Sequence, residues 1–218
     1  MRASSHNRMT PIVSRSGLGG RVAAIANGLA AFGKIIFAWE ANAECPLCWR
    51  EVFPHGIEGV AFSDGPAVGP CTRIGGVGCT QWIEGGDYSP VMAAMAGAPE
   101  MSLKVAVFVR FFRTPDIHVP SFAERVAVRV REIGASGVFL MADSRRAEIA
   151  AYLRHHGVVC VTPQCPELAS DLGRGRDATL AFLSDWKTLL ASGRILAYKT
   201  PSAILFPARA AGVPVEWV

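Results

Sequence analysis

No apolar run reaches the roughly 18 residues that a membrane span requires. The longest candidate, Val22 to Trp39, is broken by Asn27, Gly28, Gly33 and Lys34. No membrane span is expected. A signal peptide is not expected either, because the opening "MRASSHNRMT" is basic but has no adjacent apolar stretch and reads as a frayed leader. Charge is scarce, at 18% of residues, and the net charge of +4 is spread over scattered Arg and Lys. This excludes a general nucleic-acid footprint and leaves room for a local anion pocket. Six cysteines (45, 48, 71, 79, 160 and 165) are read as reduced thiols, since no export signal accompanies them. The expected location is the cytoplasm.

What is present is hydrophobic: half of the 218 residues, a composition that suits a globular protein with apolar parallel strands. The length allows one large domain or two of roughly 100 residues each. Ile12 to Ser14 reads as a strand, Gly20 to Phe32 as a helix and Lys34 to Glu40 as a second strand. Residues 41–100 are rich in Gly, Pro and Cys, with a short strand near Gly59 to Phe62 and a small helix near Pro90 to Ala96. Pro99 marks a linker.

The second half is more regular. "LKVAVFVR" (103–110) is a strand, and Ser121 with Glu124 three residues later opens a helix. "GVFLMAD" is a strand ending in an acid, "SRRAEIAAYLRHHG" a helix closed by Gly157, and "VVCVTP" a further strand. "DATLAFLSDWKTLLAS" is a helix, "RILAYK" a strand and "PSAILFPARAAG" a last helix before "VPVEWV". Strands alternating with helices imply a parallel sheet with its ligands at the strands' carboxyl ends.

The turn "SGLGGRV" after the first strand carries three readings. Gly17, Gly19 and Gly20 approximate the dinucleotide fingerprint, with Glu40 as the ribose-binding acid, but Val22 stands where a last glycine belongs. The turn also suits a sugar nucleotide, or a purely structural close approach.

"SGLGGRVAAIANGLAAFGKIIFAWE" and "CPLCWREVFPHGIEGVAF" resemble the opening of the fucosyltransferase-like glycosyltransferases. That superfamily includes the nodulation and core α-1,6-fucosyltransferases and the protein O-fucosyltransferases. "VAVFVRFFRT", "FLMADSRRAEI" and "RILAYKTPSAILFPARAAGVP" follow in the family's order. The resemblance implies an α/β, GT-B-like fold with two Rossmann-like halves facing a cleft. Residues 1–98 would form the acceptor-side domain and 99–218 the nucleotide-sugar domain. It implies inverting, metal-independent transfer of fucose from GDP-fucose to a glycan or other hydroxyl acceptor, with no cofactor.

Carried over residue by residue, Arg110 and Arg113 are the catalytic candidates that stabilise the departing diphosphate. Gly17, Gly19, Arg21, Asp143, Ser144, Asp185, Thr200 and Ser202 are the candidates that bind the nucleotide sugar, with hydroxyls and free amides offered at the helix entrance from Thr200 to Ala203. Asp143 would accept from the base or ribose, and the Gly17 to Arg21 turn would line the cleft. Departures from the family pattern are Phe108 for the histidine of its H-x-R motif, the inserted Phe111 and Phe112, Gly20 in place of Asn or Asp, and a shorter chain. A relative that grips a nucleotide without transferring sugar, or a nicotinamide-dependent oxidoreductase, are the alternatives.

Other residues have plainer readings. Cys45 and Cys48 have C-x-x-C spacing but no second pair to complete a zinc site. His155 and His156 suit a helix C-terminus. Arg145, Arg146 and Arg154 read as a solvated helix face. His118 and Asp116 sit on a loop near the expected cleft, Asp116 being a candidate base. Trp39, Trp49 and Trp82 read as core or interface residues.

Overall fold

Ile35, Ile36, Phe37, Ala38 and Trp39 form a strand with no polar face, and such a strand belongs inside a sheet covered on both sides. A computed structural model describes residues 9–14, 16–66, 86–95, 101, 103–111, 115–167, 175–198 and 202–218, and the backbone of 72–73. In it, this strand, β2 (Ile35–Trp39), lies between β1 (Thr10–Val13) and β3 (Val60–Asp64), and β4 (Thr72–Arg73) flanks β1. All pairings are parallel, with Phe37 opposite both Ile12 and Phe62.

The connection from β1 to β2 is α1 (Leu18–Phe32), whose alanines favour a helix. Its residues from Arg21 to Gly28 are all buried, so the helix is enclosed on nearly every side. It ends at Gly33, whose φ of 69° few other residues tolerate and whose N–H donates to the Leu29 carbonyl at 2.8 Å. Two short helices, α2 (Trp49–Val52) and α3 (Ser89–Ala94), complete the first half.

The second sheet has the order β7-β6-β5-β8-β9, again wholly parallel. Its strands are β5 (Ala106–Val109), β6 (Gly137–Ala142), β7 (Val159–Val161), β8 (Ile195–Ala197) and β9 (Val215–Trp217). Alternation along β5 sends Val107 and Val109 to one face. There they pack against Phe122, Val126 and Val130 of α4 (Val119–Glu132) and Ile149 and Leu153 of α5 (Arg146–His155). Ala106 and Phe108 face the other way, toward α6 (Arg176–Leu190).

That second face is continuous with the core of the first half. One apolar cluster runs from Ile12, Ile25 and Phe37 through Phe139, Trp186 and Ala208. Lys187 donates to the Met95 carbonyl, and Arg176 pairs with Glu51, both across the two halves. The expected boundary at 98/99 lies outside the described residues.

Two sequence expectations change. α4 starts at Val119 with Pro120 in its first turn and His118 as the preceding residue, so Ser121 lies inside the helix and its hydroxyl meets His118 Nδ1 at 2.8 Å. The helix expected from 201 to 212 shrinks to α7 (Phe206–Ala210). Before it the chain makes a turn, because the Ile204 carbonyl accepts from the Trp186 indole at 2.8 Å.

Candidate functional site

In a 3-2-1-4-5 parallel sheet, the strand order reverses beside the first strand, and a crevice opens there at the carboxyl edge. Here that place is the tip of β5, next to β8, and Arg110 is the first residue beyond β5. An open pocket lies at this edge. Arg110 and Asp143 line it from the tips of β5 and β6, Arg146 from α5, Asp185 from α6, and Ile204 from the turn after β8.

Asp143 does more than line the pocket. Its Oδ2 lies 3.5 Å from Arg110 Nε, and its Oδ1 accepts the Phe111 N–H at 2.7 Å. Arg110 and Asp143 are 12% and 6% exposed in their side chains. The carboxylate therefore orients the arginine. The reason is adjacency: parallel register puts the ends of β5 and β6 side by side.

Arg146 is a pocket residue that sequence reasoning missed by placing it on a solvated face. Its side chain is 14% exposed, its NH1 donates to the Cys165 carbonyl at 2.9 Å, and its amide donates to Glu167 at 2.5 Å. The available signal was position, since it opens the helix that follows a strand ending in an acid. Two cations, Arg110 and Arg146, thus reach a pocket whose lining also holds Asp143 and Asp185, each accepting from loop amides, and the apolar Phe108, Met141 and Phe182. Such a pocket fits an anion attached to a flat or apolar body.

Asp185 joins the lining but is 2% exposed, and it accepts the amides of Gln164 at 3.0 Å and Cys165 at 2.6 Å. It fixes the loop after β7. Ser202 is also committed locally: its Oγ accepts the Ile204 N–H at 3.4 Å and its carbonyl the Leu205 N–H at 2.9 Å. The described part of the expected hydroxyl-bearing entrance, Ser202 and Ala203, therefore lies in a closed turn, and Ile204 is the residue of that turn which lines the pocket. Ser144 is half-buried on the turn after Asp143. Arg113 and Thr200 lie outside the described residues.

The glycine turn stands outside the pocket lining. A Cβ on Gly19 would lie 3.6 Å from Ala203 and Ile204, ordinary contact distance, so the two halves meet beside this residue. Arg21, expected to line the cleft, is 0% exposed. Its Nε donates to the Ser16 carbonyl at 2.9 Å and its guanidinium lies 4.8 Å from the Trp39 ring centroid. Burial pulls its pKa below the ordinary arginine value, partly offset by Cys45, Glu40 and Glu44.

The remaining candidates are accounted for locally. Cys45 is buried and Cys48 half-buried, both as free thiols, and Cys48 precedes α2 in a capping box with Glu51. His118 and Asp116 are exposed. Trp39 is a core residue, and Trp49 stacks on Phe62 at 4.6 Å. Among the described residues, no group of three His, Cys, Asp or Glu side chains is arranged to hold a metal, and no helix is long and apolar enough to cross a membrane.

No protein-family model matches the sequence, and no curated protein matches it. Solved structures do. The chain is similar to the NodZ α-1,6-fucosyltransferase soaked with GDP-fucose, at 12% identity and a TM-score of 0.53, over 95% of this chain and 94% of that one. The same enzyme co-crystallised with GDP gives 12% and 0.55, over 93% and 92%. Fucosyltransferase NodZ from Bradyrhizobium gives 12% and 0.54, over 93% and 92%. The chain thus has the fucosyltransferase-like, GT-B-like fold, with two parallel Rossmann-like sheets.

Proposed function

We propose that this protein is a glycosyltransferase that takes a nucleotide-sugar donor into the β5–β6–β8 edge pocket. The donor is GDP-fucose, and fucose passes to a glycan or other hydroxyl acceptor with inversion and without a metal. The observation that supports this best is that Arg110 and Ile204, far apart in sequence, line one open pocket at the carboxyl edge of the second sheet. The structures similar in fold were solved with GDP-fucose and with GDP.

When the glycosidic bond breaks, negative charge builds on the departing diphosphate. A pre-oriented guanidinium stabilises that charge without reorganising, which lowers the barrier. Arg110, braced by Asp143, has this character, and Arg146 adds a second cation. Phe108, Met141 and Phe182 offer apolar walls for the nucleoside. The acceptor hydroxyl attacks from the side of the first half.

One observation favours a second reading. Phe108 is 3% exposed and lines the pocket where the similar family has a histidine donor, so the site can hold a nucleotide with one polar contact fewer. Calorimetry with GDP, GDP-fucose, a UDP-sugar and NAD, paired with a transfer assay, separates the possibilities. Preferential binding of GDP-fucose with sugar transfer is expected. GDP binding without hydrolysis or transfer favours the non-catalytic relative, and binding of NAD alone ends the transferase reading.

A further inference from the structure

Arg145 is the one residue other than glycine with a positive φ among the described residues, at φ 53° and ψ 22°. In the left-handed region a Cβ crowds the carbonyl that follows, so a long side chain is carried there at a cost that glycine avoids. The residue lies in the turn between β6 and α5, directly before Arg146. The reversal it makes sends Asp143 and Arg146, three residues apart, to the same pocket. A glycine makes such a reversal without strain, so the arginine is retained for its side chain.

That side chain is engaged on three sides. Nε and Nη2 donate to the two carboxylate oxygens of Glu148, both at 2.8 Å, in a bidentate fork. Nη1 donates to the Ile117 carbonyl at 3.3 Å, and the guanidinium lies 5.2 Å from the centroid of the Phe111 ring. Glu148 stands three residues along on α5, so the fork sets the angle of the guanidinium. The other two contacts fall on a different connection, the one that leaves β5 at Arg110 and enters α4.

This connection begins with the residue that faces the diphosphate. Phe111 follows Arg110, and it is gripped twice: its N–H donates to Asp143 at 2.7 Å and its ring lies under Arg145. It is only 5% exposed, and it is one of the two residues inserted relative to the family pattern. Ile117, near the far end of the connection, is held by its carbonyl. Arg145 does not line the pocket.

We propose that Arg145 is a positioning residue for the donor's diphosphate: by fastening Phe111 and Ile117 to the β6–α5 turn, it holds the Arg110 guanidinium toward the pocket. The inference rests on the donor reading given above. A solvent-exposed ion pair such as Arg145–Glu148 adds little stability by itself, so loss of this latch is read in binding more than in Tm.

Arg145→Gly removes the latch and keeps the left-handed turn, and it is expected to fold with a Tm close to that of wild type. Glu148→Gln, which leaves the arginine in place and takes away the charge of its partner, is a milder second variant. Hydrogen–deuterium exchange without nucleotide reads the latch directly. Uptake by the peptide that spans Phe111 and Ile117 is expected to rise in Arg145→Gly, and to rise less in Glu148→Gln. Calorimetry with GDP reads the consequence: Arg145→Gly is expected to weaken binding about five- to tenfold, and Arg145→Lys, which keeps a cation over Phe111, to recover part of the loss. In the Arg110→Ala background, Arg145→Gly is expected to cause no further loss, because residues that act through one contact are not additive. Unchanged GDP affinity in Arg145→Gly overturns the proposal, and so does an equal loss in the Arg110→Ala background, which gives Arg145 a role independent of Arg110. If wild type binds no GDP, the donor reading of the pocket fails, and unchanged exchange in Arg145→Gly then overturns the latch on its own.

Discussion

The carboxylate of Asp185, deep on α6, holds the amide of Cys165 at 2.6 Å and that of Gln164 at 3.0 Å. A buried carboxylate that satisfies two loop amides acts as a clasp. Removing it as Asp185→Ala leaves both N–H groups without their acceptor, and the expected loss is about 2–3 kcal/mol of stability in urea denaturation. Asp185→Asn keeps one acceptor oxygen and loses less. Cys165, 7% exposed in the native chain, becomes more readily alkylated in both variants. Unaltered stability and labelling in Asp185→Ala show that the loop is held by something else.

Arg110 and Asp143 make a second, separable prediction. If Arg110 meets the diphosphate, Arg110→Ala weakens GDP binding by about 1.5–3 kcal/mol, the range of a hydrogen bond to a charged group. Asp143→Asn preserves an acceptor for the Phe111 amide but removes the charge that braces Arg110, so it weakens GDP binding less than Arg110→Ala does. Calorimetry on the two variants reads this order directly. Equal affinity for GDP in wild type and Arg110→Ala takes the arginine out of the site.

The second sheet was legible because its strands are apolar runs and its helices keep a 3.6-residue period; Val119, Phe122, Val126 and Val130 point to one face in sequence and in structure alike. Arg110 and Asp143 were singled out by the family resemblance, and their place at the ends of apolar strands is what brings them to the pocket. The burial of Arg21 was not legible, because nothing in the local pattern separates an arginine that lines a cleft from one buried against Trp39 of the next strand. The contact from Asp185 to Cys165 spans the β7–α6 loop, and that from Trp186 to Ile204 spans β8. Neither has a local signature, and the second is what shortens the last helix. Ser121 looked like a cap because capping reads residue type, while Pro120 in the first turn goes with an N-cap at His118, three residues earlier.

Two glycines on the path between the halves and the first sheet respond oppositely to the same change. A Cβ on Gly19 meets Ala203 and Ile204 at ordinary contact distance, and the residue sits in the first turn of α1. Gly19→Ala is therefore expected to stabilise the chain by about 0.5–1 kcal/mol, through reduced freedom of the unfolded state. Gly59 has a φ of 80°, and its added Cβ would lie 2.8 Å from the Gly33 carbonyl. Gly59→Ala is expected to destabilise by more than about 1 kcal/mol, from left-handed strain and the backbone clash together. Thermal unfolding of both variants checks the opposite signs, and destabilisation by Gly19→Ala means that the halves meet more tightly than described.

Glu51 ties the two halves in a pH-dependent way. Its Oε2 accepts the Cys48 amide at 2.8 Å, and its Oε1 pairs with Arg176 at the start of α6. The Cys48 hydrogen bond above all, then Arg176, hold its carboxyl below the ordinary 4.5, with burial opposing. A carboxyl whose pKa is lower folded than unfolded adds stability above its unfolded pKa and loses it as pH falls through the folded one. The contribution is small, about 1 kcal/mol or less, because Arg176 is 60% exposed and the pair is screened by solvent. Wild type is thus expected to be slightly more stable than Glu51→Gln at neutral pH. The two curves should converge as pH drops below 4.5, and added salt should narrow the gap at neutral pH. A gap that persists in strong acid, where Glu51 is protonated, assigns the stabilisation to the shape of the side chain and not to its charge.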